Sequence, residues 1–74
     1  MPPTVQVTVT LTPGLDGWVE TERDAPPILA IEAGGTELCL VLASDHVTAH
    51  DADAARRLAE LIAAFAARVA ARVA

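Results

Sequence analysis

The sequence predicts an α+β domain: a small antiparallel sheet of two hairpins and four to five short strands, followed by one long C-terminal helix packed on one sheet face. Three observations carry this prediction. Thr4 to Thr12 alternates strictly, with Val5, Val7, Val9 and Leu11 on one side and Thr or Gln between them, the period of a half-buried strand. Gly34-Gly35 separates two apolar runs and suits a two-residue hairpin turn with positive φ angles. From Asp51 onward, Leu58, Leu61, Ile62, Phe65, Val69 and Val73 recur at helical spacing with no Gly or Pro among them, which marks a core-facing stripe.

Each element can be justified in order. Residues 1–3 are expected to be disordered and 4–74 to form one domain, its sheet part at 4–49 and its helix at 51–74. After the first strand, Pro13-Gly14 and Asp16-Gly17 supply turn chemistry, and Trp18 to Glu22 returns as a short second strand. Arg23 to Pro27 ends in two prolines, which lack backbone donors and hold the preceding residue extended, so it reads as a loop. Ile28 to Ala33 and Thr36 to Ala43 form the second hairpin. Pairing Ala33 with Thr36 sets Ile31 opposite Leu38 and Leu29 opposite Leu40, which gathers the bulky aliphatics on one face. The reverse face carries Ile28 opposite Val41, Ala30 opposite Cys39 and Glu32 opposite Glu37. Val47 to Ala49 reads as a further short strand, and Asp51 as the helix N-cap, its carboxylate accepting from first-turn N–H groups. A helix of about 23 residues spans about 34 Å, long enough to cross such a sheet.

Length and composition bound the function. Seventy-four residues lie near the lower limit for one self-sufficient hydrophobic core, so help from a second chain is a live expectation. The single Cys39 cannot close an intramolecular disulfide, and the first residues lack the basic and apolar regions of a signal peptide, so a cytoplasmic protein is expected. No apolar run is long enough for a membrane span, and no membrane partner is expected. The net charge of −5 hides an asymmetry. Arg23 is the only basic side chain before position 54 besides the two histidines, whereas Arg56, Arg57, Arg68 and Arg72 in the helix face only Glu60. An acidic sheet disfavours nucleic acid, whose phosphates require Lys and Arg, so no nucleic-acid partner is expected either. The absence of Lys, Asn and Tyr with abundant Ala, Val, Asp and Arg points to a high-GC bacterium or its phage.

Chemistry is sparsely encoded. Asp45, His46, His50, Asp51 and Asp53 are the one local group of metal-capable side chains, but an extended segment would place His46 and His50 about 13 Å apart. Glu32 and Glu37 oppose one another at a sheet end, where water screens their repulsion. No nucleophilic triad spacing, phosphate-cradling loop or Cys-His motif is present in the sequence, so neither a catalytic residue, a metal nor a cofactor is expected and the protein is read as non-enzymatic. Cys39 reads as an ordinary strand thiol, and Trp18 as packing over a sheet end or anchoring a partner.

Two surfaces remain as interface candidates. One is the helix row Ala59, Ala63, Ala66 and Ala70, with Ala52 before it, about 90° or more from the Leu58/Ile62/Phe65 stripe by the helical period. The other is the half-apolar back of the second hairpin, Ile28, Ala30, Cys39 and Val41; Trp18 is a separate candidate anchor. An acidic hairpin, a polar turn and a helix reading Ala-Arg-Arg-Leu-Ala-Glu-Leu resemble the layout of many small proteins of high-GC bacteria and their phages. That resemblance spans about residues 28–74, contains no diagnostic motif and implies no activity. The expectation is a small protein-binding or assembly module, a homodimer, whose partner is itself or another protein. The alternative is an acidic regulator or inhibitor, like a phage host-takeover protein or an antitoxin, that docks on a basic host surface; a small metal-binding protein or enzyme ranks behind both.

Overall fold

The computed structural model describes residues 3–73; Met1, Pro2 and Ala74, and with them most of the expected N-terminal tail, lie outside the described residues. The described residues form a three-stranded antiparallel sheet followed by a C-terminal helix, an α+β architecture. The strands are β1 (Asp16–Glu20), β2 (Ile28–Ala33) and β3 (Thr36–Leu40), in spatial order β1-β2-β3, and the helix is α1 (Ala49–Ala71).

The second hairpin forms in the register its apolar pattern dictates: Leu29 opposes Leu40, Ala30 opposes Cys39, Ile31 opposes Leu38, Glu32 opposes Glu37 and Ala33 opposes Thr36. Gly34 and Gly35 turn the chain with φ of 57° and 80°, values that L side chains rarely tolerate and that fit the twist of the flanking strands. The ladder stops at Leu40, so Ile28 does not pair with Val41, though it pairs with Glu20 on its other side, and β3 is shorter than the predicted 36–43. Strand β1 begins at Asp16 rather than Trp18 and pairs with β2 through Trp18 opposite Ala30 and Val19 opposite Leu29. Gly17 permits this approach, since a Cβ there would lie 2.8 Å from the Ala30 carbonyl oxygen.

Three expectations are corrected. First, Thr4 to Thr12 is not a strand: the segment has no ladder partner, and Val5 is 82% exposed. The turn after it explains why. Leu15 N–H donates to the Thr12 carbonyl at 2.9 Å around Pro13-Gly14, and neither residue has positive φ. Proline cannot adopt positive φ, and a turn without it splays a two-residue hairpin instead of folding the strand back. The chain runs instead past the β2–β3 turn, where a Cβ on Gly34 would lie 3.9 Å from the Thr10 carbonyl oxygen. The sheet therefore has three strands and one tight hairpin, not four to five strands and two hairpins.

Second, Val47 to Ala49 is not a strand and Asp51 is not the N-cap. Thr48 caps the helix, and Asp51 is the third helical residue. Asp51 N–H donates to Thr48 Oγ1 at 3.2 Å, while Thr48 N–H donates to Asp51 Oδ2 at 2.9 Å. This reciprocal capping box satisfies donors that the helix ladder leaves open. Arg56–Asp53 and Arg57–Glu60 ion pairs at 3.0 and 3.2 Å brace the exposed side of the following turns.

Third, the helix does not close onto the sheet. No Cα atom of α1 comes within 8 Å of one in a strand, and the stripe stays exposed from Leu58, at 38%, to Phe65, at 55%. The only buried apolar residues among those described are Ala30 and Ala33, at 1% and 3% exposure. The Cα radius of gyration is 14.7 Å, against about 11 Å for a compact chain of this length.

The cap is the clearest local test. Thr48→Ala should lower stability by about 1 kcal/mol, read from the urea midpoint at fixed protein concentration, whereas Thr48→Ser should retain most of it.

Candidate functional site

The principal concavity follows from the gap between α1 and the sheet. Its floor is the aliphatic sheet face, Val19, Leu29 and Leu40, and its opposite wall is the first half of the helix stripe, Ala55, Leu58 and Ile62, in an open cleft of about 540 Å³. Strand alternation puts Val19, Leu29 and Leu40 on one face because they stand opposite one another in register. Asp51 is the one ionisable side chain on its lining, and its carboxylate is engaged in the capping box. The cleft offers contact area and hardly any polar chemistry. It is suited to receiving apolar side chains.

The helix stripe extends beyond the cleft. Ala55, Leu58, Ile62, Phe65 and Val69 follow one another at intervals of three, four, three and four, the seam by which two helices interlock. Phe65 and Val69 lie beyond the cleft lining, and both are at least half exposed. Of the alanine row, Ala52 and Ala59 line the cleft, whereas Ala63, Ala66 and Ala70 do not; all are exposed.

The other candidates gather on the opposite sheet face. Register places Trp18, Ala30 and Cys39 in one cross-strand row and Asp16, Glu32 and Glu37 in the next. Ala30 is buried, so it fills this face rather than projecting from it. Ile28 is half-buried, while Cys39, Val41 and Trp18 are exposed. The Trp18 indole N–H donates to Glu20 Oε1 at 3.2 Å. Three carboxylates side by side across three strands repel one another, and they are the surface on which the acidic docking alternative rests. The Cys39 thiol lies 3.6 Å from Glu37 Oε1, as a donor to it. Partial desolvation, then the hydrogen bond to Glu37 and the negative charges of Glu37 and Glu20, hold the thiol above its ordinary pKa. That environment suppresses the thiolate.

The metal-capable loop does not converge. His50 lies in the first turn of α1 instead of an extended segment, and no group of three metal-capable side chains is assembled among the described residues. No described helix is long and apolar enough to cross a membrane. No protein-family model, curated protein or solved structure matches the chain. The cleft was not foreseen from the sequence, because periodicity identifies apolar faces but not whether they meet.

Glu37→Gln removes the nearest charge from Cys39. The thiol pKa should fall and iodoacetamide alkylation at pH 8 should become faster, with the difference vanishing at a pH high enough to ionise both thiols fully. Equal rates at pH 8 would show that the carboxylate does not act on the thiol.

Proposed function

We propose that the protein is a small non-enzymatic binding and assembly module that works as a homodimer, with the helix stripe and the aliphatic cleft as its interface. The observation that carries this reading is surface area. The chain exposes 6607 Å², against about 4,300 Å² for a compact monomer of its mass, an excess of about 2,300 Å². Stable obligate dimers bury about 2,000–5,000 Å² in total from both partners. The surplus is of that order, and it is divided between the unpaired segment 4–12, with Val5 82% and Val7 70% exposed, and the surfaces of the cleft and the helix. It includes the stripe, where Leu58, Ile62 and Phe65 each forgo about 1 kcal/mol by remaining about half exposed.

A second copy is the occupant that self-complementarity favours, since each chain carries both an open aliphatic cleft and an exposed helix stripe beyond it that could enter such a cleft. Among the described residues, Arg68 and Arg72 make no ion pair. Of the alanine row, Ala59 and Ala66 flank the seam closely, whereas Ala63 and Ala70 turn further from it by the helical period. In this reading the former contribute to the contact and the latter border it.

Light scattering after size exclusion should give twice the chain mass of 7.7 kDa. Ile62→Glu, which puts a charge into the seam, should return the mass of one chain, and Ala63→Glu should leave the dimer intact. A wild-type monomer at every concentration would overturn the reading, while dissociation by Ala63→Glu alone would move the interface to the alanine row.

A further inference from the structure

We infer that the two helices of this homodimer run antiparallel, and that the second half of the partner's helix fills the cleft between the sheet and the first half of α1. The inference rests on the dimer reading and adds its geometry. The cleft is lined by the stripe only as far as Ile62, so each copy has an open receiving half, while Phe65 and Val69 beyond it form a projecting half with nothing to fill. A two-fold axis crossing the helices near their middle brings each projecting half to the other's receiving half. A parallel pair would set projecting half against projecting half and leave both clefts open.

The heptad seam fixes the layers. In an antiparallel arrangement Ile62 lies against Phe65 of the partner subunit, and Leu58 against Val69 of the partner subunit. Ala55 then faces Arg72 of the partner subunit, and its small side chain leaves room for the aliphatic stem of the arginine. The charges favour the same direction. The first half of α1 and the loop before it hold Asp45, Asp51, Asp53 and Glu60 against Arg56 and Arg57, four acids to two arginines, whereas its last turn and C-cap hold Arg68 and Arg72 with no acid. Antiparallel helices set the acidic end of each beside the basic end of the other and align the two helix dipoles favourably. A parallel pair would set Arg68 and Arg72 against their own copies.

Cysteine pairing tests the direction. In a Cys39→Ser background, Leu58→Cys chains and Val69→Cys chains are mixed, oxidised and resolved by intact mass, with light scattering of each reduced chain as the control for assembly. The expected product is predominantly the mixed disulfide joining position 58 of one chain to position 69 of the other. Predominance of the 58–58 and 69–69 products, or no cross-link between chains that light scattering shows to be dimeric, overturns the antiparallel geometry and leaves the dimer standing. If the cysteine chains do not assemble, Arg72→Glu in the wild-type sequence decides: antiparallel packing predicts at least a severalfold weaker dimer at low salt, and unchanged affinity overturns it. A wild-type chain that is monomeric throughout overturns both.

Discussion

Hydrophobic burial between the helix stripe and the aliphatic sheet face is the interaction on which the rest of the structure depends, and within one chain it is left incomplete. Three short strands and one long helix present more apolar surface than they enclose. The buried residues are two alanines, Ala30 and Ala33, which can supply little of the free energy needed to offset the entropy of ordering the chain. The local devices are nonetheless in order. The Gly34-Gly35 turn, the β2–β3 register and the Thr48–Asp51 box all satisfy backbone and side-chain demands without tertiary help.

That contrast gives the proposed assembly its physical motive. A helix of this length is marginal on its own unless an apolar face is packed, and the cleft beside it is formed almost wholly of aliphatic side chains. Pairing two copies would convert the exposed stripe into a shared core without requiring new elements. The division of charge along the helix, acidic toward its start and basic at its end, would then act between chains, where it selects direction more than it adds affinity.

Much of this was legible in the sequence, and what was not has definite physical causes. The register of the second hairpin was readable from Leu29 to Leu40, though not where β3 ends, because two glycines specify the turn and a one-residue slip would put Leu38 and Leu40 on the wrong face. The helix stripe was readable because its period is sustained over several turns. Thr4 to Thr12 was misread because alternation reports a face fit for a sheet, not that a strand is available beside it. Pro13 carried the missing signal, since its fixed φ excludes the hairpin turns that would have folded the segment back. The cap was misplaced by three residues because Thr48, with Asp51 three positions on, forms a box in which the threonine, not the acid, takes the capping position. The open cleft had no sequence signature, because the separation of two apolar faces is a property of the whole chain.

The most direct measurement is the thermal midpoint of unfolding, followed by circular dichroism over a hundredfold or wider range of protein concentration. If the core is completed by a second copy, association and folding are linked, and the midpoint must rise steadily with concentration. A midpoint independent of concentration, from a chain shown to be monomeric and folded, would mean that the stripe and the sheet are stable without a partner and would contradict the account.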